Sequence, residues 1–159
     1  MRDSFVLACT FVLSISKALL FPEPSIYSEN NKSVAVEPVA DELIKRIVDR
    51  MGKLVTGDGT KNSDMGPLVT KQHRDKVASY VEAGIKEGAT AVVDGRNVQA
   101  DGAKDGYWLG PTLFDNVSPE MSIYKDEIFG PVLSIIRVNT YDEALNLVNS
   151  HQYGNGTAI

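Results

Sequence analysis

The clearest strand in the sequence is Val132–Val138, which reads VLSIIRV. Nearly all of its residues are β-branched or apolar, and this predicts a strand buried on both faces, as in the middle of a parallel sheet. A helix is expected directly after it. Thr140 and Glu143 fit a capping box, and the apolar residues that follow carry the helix to about His151. This strand–helix unit indicates an α/β fold.

The chain before this strand alternates in the same way. Val39, Leu43 and Ile47 recur at helical spacing, and Thr70 can cap a second amphipathic helix. In chain order, we predict a helix at 39–54, a helix at 70–87, a strand at 91–93, an extended stretch at 107–117 and a helical turn that starts at Ser118-Pro119. Helices that alternate with strands favour an α/β fold in which at least some strands pair in parallel.

The composition excludes several classes of function. The chain has 159 residues with a net charge of −5 and no basic run, which argues against a nucleic-acid partner. Cys9 is its one cysteine, so an intrachain disulfide is excluded. Its two histidines, His73 and His151, lack zinc-ligand spacing, and we predict no metal site. We expect His73 to be solvated on a polar helix face, and His151 to lie at a helix C-terminus.

The N-terminal part differs from the rest of the chain. Residues 5–21 are strongly apolar but contain Lys17, and the run is slightly short for a membrane span. Without a clear cleavage site, a buried segment or sequence foreign to the domain is favoured over a signal peptide or anchor. Because Ser25–Ser33 resembles a linker, we divide the chain into a divergent apolar head and linker at 1–37 and a folded domain at 38–159.

A charged segment, Lys125–Val132 (KDEIFGPV), leads into the clearest strand. Composition favours an ordinary solvated turn. The alternative is a nucleotide site, because a carboxylate such as that of Glu127 can accept hydrogen bonds from both hydroxyls of a ribose. In an extended segment, Phe129 would point to the same side as Glu127 and could pack on a flat ring.

The same segment resembles a known family. Glu127-Ile128-Phe129-Gly130-Pro131 resembles the E-I-F-G-P signature of the aldehyde dehydrogenase superfamily. Further similar stretches, in order, are Met65–Val69, Gly110–Leu113 and Tyr153–Ile159, and the last of them is similar to the branch of methylmalonate-semialdehyde dehydrogenases. The resemblance covers about 41–159. It implies a three-layer α/β catalytic domain around a mostly parallel sheet, present in part and truncated at its C-terminal strand.

The resemblance also implies a function for the complete protein. It would oxidise a small semialdehyde with NAD and release the acyl group to coenzyme A, in valine and pyrimidine breakdown. Glu127 would bind the nicotinamide ribose, and Phe129 would line the nicotinamide pocket. Complete relatives are homo-oligomeric and lie in the cytoplasm or the mitochondrial matrix, which is the expected location.

The chain departs from the family where the chemistry occurs. It has no G-Q-x-C context for the nucleophile, and Cys9 lies too far from the first helix. The family's general-base Glu also precedes the matched region. We therefore assign no catalytic residue and expect a fragment that is inactive alone, because these groups act as a unit. The alternatives are a non-catalytic interaction module that pairs through its unfinished strand, and, less favoured, a secreted or membrane-attached product.

Overall fold

The computed structural model describes residues 32–37, 39–102 and 104–151. These ranges contain four strands and four α-helices, with two short 3₁₀ turns. The elements are β1 (Lys32–Val36), α1 (Ala40–Met51), α2 (Lys71–Lys86), β2 (Thr90–Val93), β3 (Thr112–Asp115), α3 (Ser122–Lys125), β4 (Val132–Val138) and α4 (Tyr141–Ser150). The 3₁₀ turns are Gly59–Lys61 and Gly95–Asn97.

The described strands form one mixed, mostly parallel sheet in the order β1-β4-β3-β2. Strand β4 pairs in parallel with β1 on one side and with β3 on the other, while β2 is antiparallel to β3. The first five residues of β4 are buried. This confirms both the predicted α/β class and the prediction that Val132–Val138 is a central, doubly covered strand.

Helices cover both faces of the sheet, which gives three layers. Successive β4 side chains alternate between the two faces. Val132 and Ile136 pack with Val77 of α2, whereas Leu133 and Ile135 belong to the cluster that includes α1. The central strand therefore places α1 and α2 on opposite sides of one sheet.

The two predicted threonine caps, at the starts of α2 and α4, are confirmed. The Thr70 hydroxyl accepts a hydrogen bond from the backbone N–H of His73 at 3.1 Å. In the same way, the Thr140 hydroxyl accepts from the N–H of Glu143 at 3.2 Å. The Glu143 carboxylate accepts from the N–H of Asn139 at 2.8 Å, so it satisfies a donor one residue before the expected one.

One element differs from the sequence prediction. Strand β1 lies before the expected start of the folded unit near Pro38 and overlaps the segment predicted as linker, because it is completed by parallel pairing with β4. As predicted, a turn begins at Ser118, where the Met121 N–H donates to the Ser118 carbonyl at 3.2 Å, and helix α3 follows it from Ser122. The Glu87 carboxylate accepts from the Ser122 N–H at 2.6 Å, and this long-range cap fixes where the helix begins.

The predictions for residues 5–21 and 154–159 lie outside the described residues, and the division into a head and a folded domain stays a prediction. In the part of the chain that the structure describes, no helix is both long and apolar enough to cross a membrane.

Candidate functional site

The candidate site is built on the segment Asp126–Gly130, here called the Glu127 segment, which joins α3 to β4. Its side chains alternate in burial: Glu127 is half-buried, Ile128 is 5% exposed and Phe129 is 49% exposed. Ile128 packs in the core with α2, so Glu127 and Phe129 face away from that core. This alternation is what the spacing of the two residues predicts for an extended segment.

One face of α2 contacts the Glu127 segment from Asp126 to Gly130. His73 Nε2 lies 2.5 Å from the carbonyl oxygen of Phe129, and Tyr80 donates its hydroxyl to Asp126 Oδ2 at 2.9 Å. Between them, Val77 packs against Gly130, where an added Cβ would lie 2.6 Å from Val77 Cγ1. These three α2 residues are spaced i, i+4 and i+7, which places them on the same side of a helix.

His73 therefore differs from its prediction. The sequence places it on a solvated helix face, but the imidazole is half-buried and bonded to the segment. Because a carbonyl oxygen only accepts hydrogen bonds, Nε2 must carry the proton in this contact. His151 lies directly after α4, as predicted. Its ring meets that of Tyr124 edge to face at 5.0 Å.

Backbone hydrogen bonds tie the end of the segment to the sheet. Gly130 donates to the carbonyl of Ile128 at 2.9 Å, and Val132 donates to that of Gly130 at 2.8 Å. Thr112, the first residue of β3, donates to the carbonyl of Pro131 at 2.8 Å. The turn is thus held by its own backbone and by a neighbouring strand, so the segment enters β4 in a defined direction.

Lys32, the first residue of β1, supplies a positive charge at the site. Its ammonium donates to the Asp126 carbonyl at 3.2 Å and lies 5.8 Å from the centroid of the Tyr124 ring. Burial lowers the pKa of Lys32 below its ordinary value, while the carboxylates of Glu127 and Asp126 oppose that change. The amine therefore lies in a partly desolvated place beside two acidic groups.

Glu127 carries the chemical signature of the site. Its Oε1 atom is buried and has no hydrogen-bond partner among the described residues. A buried polar atom without a partner is costly and rare in native proteins, so it needs an explanation. A ligand that donates a hydrogen bond, such as a sugar hydroxyl, would satisfy it.

A second charged cluster lies at the opposite ends of the parallel strands. Arg137 near the end of β4 bonds Asp115 through two nitrogens, each at 2.9 Å, and also bonds Glu37 and Asp41. These hydrogen bonds raise the pKa of Arg137 above its ordinary value, and those that it donates to Asp115 contribute most. The guanidinium donates hydrogen bonds to all three carboxylates, so this cluster of described residues links the ends of the strands and offers no unpaired charged group to a ligand.

The structure also places the other groups that sequence reasoning considered. Cys9 lies outside the described residues. Within those ranges, no group of three or more His, Cys, Asp and Glu residues is arranged to hold a metal ion. His73, Tyr80 and Lys32 were missed as parts of the site, because their contacts span 46 to 94 residues of sequence. The local pattern around them contains no signal for such contacts.

Comparison with known proteins identifies the family. The aldehyde dehydrogenase family matches residues 28–159. The chain belongs to this family. Malonate-semialdehyde dehydrogenase of Pseudomonas aeruginosa is 52% identical over 131 residues, which cover 80% of this chain and 26% of that relative. The bovine mitochondrial methylmalonate-semialdehyde/malonate-semialdehyde dehydrogenase [acylating] is 43% identical over 121 residues, 76% of this chain and 22% of that protein.

A solved structure agrees with the sequence relatives. It is the crystal structure, in complex with NAD, of a Sinorhizobium meliloti protein assigned as methylmalonate-semialdehyde dehydrogenase. It superposes with a TM-score of 0.86 at 39% identity, over 94% of this chain and 31% of that one. The chain therefore shares the aldehyde dehydrogenase fold and spans about a quarter of the length of the curated relatives it matches.

Proposed function

We propose that this chain forms part of the NAD-binding site of a methylmalonate- or malonate-semialdehyde dehydrogenase. In this proposal the Glu127 carboxylate accepts hydrogen bonds from the nicotinamide ribose, and Phe129 lines the nicotinamide pocket. The observation that carries it is the buried Oε1 of Glu127, which lacks a partner among the described residues and lies two positions from a half-exposed aromatic ring. The NAD complex of the Sinorhizobium meliloti relative supports the choice of ligand.

The residues present fit such a ligand. A ribose offers hydroxyl donors, and a carboxylate oxygen with an open hydrogen-bonding position is a suitable acceptor for them. Phe129 is 49% exposed and offers a flat apolar surface for a ring. When bound, NAD would supply the hydride acceptor for aldehyde oxidation. The protein's own contribution here is to bind and orient.

The complete protein would act on a small semialdehyde and pass the acyl group to coenzyme A. The bovine relative is named as an acylating, mitochondrial dehydrogenase, which supports acyl transfer and is compatible with a matrix location. Valine and pyrimidine breakdown and a homo-oligomeric assembly belong to the same proposal. We propose that the 159-residue chain alone does not turn over, because we assign none of its residues as nucleophile or general base.

Calorimetric titration of the purified chain with NAD tests the site. Glu127→Gln should weaken binding about 10- to 100-fold, since a hydrogen bond to a charged group contributes about 1.5–3 kcal/mol. The matched control is Glu120→Gln, which makes the same chemical change in the exposed turn before α3 and should leave affinity unchanged.

Three other results would count against the proposal. Equal NAD affinity of Glu127→Gln and the unchanged chain would remove the role of Glu127. No binding by a chain with a folded circular dichroism spectrum would favour the interaction module instead. Aldehyde-dependent NADH formation by the pure chain would contradict the proposed inactivity.

A further inference from the structure

The Glu127 segment depends on a neighbouring helix for its position. Glu127 and Phe129 face away from the core that could hold them, and Gly130 follows directly. Two polar side chains of α2 instead hold the backbone and side-chain atoms on either side of Glu127. His73 holds the carbonyl of Phe129, and Tyr80 holds the carboxylate of Asp126.

We propose that His73 and Tyr80 are positioning residues for the dinucleotide site. They would act through the Glu127 segment and would not touch the ligand themselves. The inference rests on the proposed function, because it assigns the helix that sets the geometry of the NAD-binding residues.

Different residues of α2 supply the apolar packing and the hydrogen bonds to the segment, and this supports the positioning role. Val77 and Ile128 are 1% and 5% exposed and account for the apolar packing between the helix and the segment. His73 and Tyr80 are half-buried and lie at the two ends of this contact. Apolar packing is non-directional, whereas a hydrogen bond fixes where one atom lies relative to another. The backbone hydrogen bonds fix how the segment enters β4, and the two polar contacts add a fixed position relative to α2 that apolar packing alone leaves open.

The His73 contact acts on Phe129 directly. The carbonyl that it holds belongs to the residue whose ring is proposed to line the nicotinamide pocket. Without this contact, the peptide between Phe129 and Gly130 keeps the hydrogen bond from the Gly130 N–H to the Ile128 carbonyl but loses its link to α2. It would then sample other orientations relative to that helix, since glycine restricts the backbone least. When only a fraction of molecules holds the binding arrangement, the apparent affinity falls by that fraction.

The Tyr80 contact acts from the other side of Glu127. Asp126 is held at its carboxylate by Tyr80 and at its carbonyl by Lys32. The residue before Glu127 thus has contacts from both α2 and β1. Loss of the Tyr80 hydroxyl leaves one of the two, so a smaller effect is expected than for His73.

The experiment compares His73→Ala with His73→Gln, in which the amide of Gln keeps an N–H donor at similar reach. The control is Gln72→Ala, a neighbouring exposed position on the same helix. Two quantities are measured on the full chain: amide hydrogen exchange at Gly130 and Val132 without ligand, and the dissociation constant for NAD.

His73→Ala should speed exchange at Gly130 and Val132 about five- to tenfold and weaken NAD binding by a similar factor, the ratio expected for one lost hydrogen bond. Exchange at the core residue Ile135 should not change. His73→Gln should restore both quantities to within about twofold of the unchanged chain.

Tyr80→Phe removes only a hydroxyl group, and Tyr141→Phe is its control at an exposed position of α4. Tyr80→Phe should weaken NAD binding about two- to fivefold, and its control should not.

Unchanged exchange at Gly130 in His73→Ala, or failure of His73→Gln to restore it, would overturn the inference. If the unchanged chain binds no NAD, the proposed function fails, and the exchange data still decide whether α2 positions the segment. A third outcome is that amide exchange at Gly130 responds as expected while the NAD dissociation constant is the same in all His73 variants. In that case α2 holds the segment but does not affect NAD binding, and the positioning role is wrong.

Discussion

The contact between Gly130 and Val77 predicts that Gly130→Ala destabilises the chain. The added Cβ would lie 2.6 Å from Cγ1 and 2.8 Å from Cγ2 of Val77. Carbon atoms in contact prefer about 3.5–4.0 Å, so a shift on the order of 1 Å is required. Because Val77 is β-branched and strongly prefers one rotamer in a helix, rotation does not relieve both contacts. Either α2 or the Glu127 segment must therefore move.

Overpacking of this kind costs about 1–3 kcal/mol of unfolding free energy. Urea denaturation followed by far-ultraviolet circular dichroism measures the loss. Gly66→Ala is the matched control, because nothing lies within 4 Å of the Cβ that it would add. It should be neutral or should stabilise by up to about 1 kcal/mol through reduced freedom of the unfolded chain.

The double variant with Val77→Ala tests the mechanism. Val77→Ala alone should cost about 2 kcal/mol, from lost burial and the cavity that it leaves. It also removes the methyl groups that the new Cβ at position 130 would meet. The double variant should therefore be about as stable as Val77→Ala alone, with a coupling of about 1–3 kcal/mol. If Gly130→Ala unfolds at the same urea concentration as the unchanged chain, or if the two costs add, the reasoning is refuted.

Three further predictions concern charged groups. Arg137→Met should cost about 2–3 kcal/mol in urea denaturation, because Asp115 is then largely buried without its cation. Hydrogen bonds with Arg96 lower the pKa of Asp94 in the folded chain below its ordinary value of 3.8. The ionised carboxylate therefore stabilises the folded chain fully above pH 3.8, and this contribution is lost as the pH falls through the lower pKa of the folded state. The stability difference between the unchanged chain and Asp94→Asn should therefore shrink on acidification. For Lys32, the pH midpoint of trace acetylation, followed by mass spectrometry, should lie below 10.5, since burial lowers its pKa.

Each of these predictions has its own check. Asp41→Asn is the control for Arg137→Met, because the Asp41 side chain is 84% exposed, and it should cost less than about 1 kcal/mol. Equal losses in the two variants would contradict the role of Asp115. For Asp94, a stability difference that grows on acidification would have the wrong sign. For Lys32, a midpoint at or above 10.5 would show that burial does not govern its protonation.

The sequence predicts those elements whose signals are local. Strand β4 has a continuous apolar run, and α2 and α4 each have a capping threonine directly before an amphipathic pattern. Strand β1 was missed because its stability comes from pairing with β4, where Val34 lies opposite Ile136 in a distant part of the sequence. The turn at Ser118 has a local signal and is present, whereas the start of α3 at Ser122 has none, since its cap is supplied by the distant Glu87.

The candidate site divides in the same way. Spacing within an extended segment predicts that Glu127 and Phe129 point to the same side, and the burial of Ile128 between them agrees with that prediction. The residues that hold this segment could not be found, because each contact joins distant parts of the chain. His73 is the clearest case: a histidine on a polar helix face is usually solvated, and only the folded structure brings Phe129 to it.

Burial alone does not explain why Glu127 is proposed to bind a ligand and Asp115 is not. Both oxygens of Asp115 accept from Arg137, and one also accepts from the backbone of Asn116, so its desolvation is compensated within the chain. Three other side chains also contain a buried atom without a partner among the described residues: Thr56, Arg74 and Ser134. Two of these are neutral hydroxyls, which cost less to bury than a charged oxygen, and Arg74 has an ion pair with Asp75 through another nitrogen. Glu127 instead leaves a carboxylate oxygen open beside Lys32 and next to a half-exposed aromatic residue. The unfilled acceptor on an acidic group, rather than burial alone, is therefore what favours a hydroxyl-bearing ligand at this position.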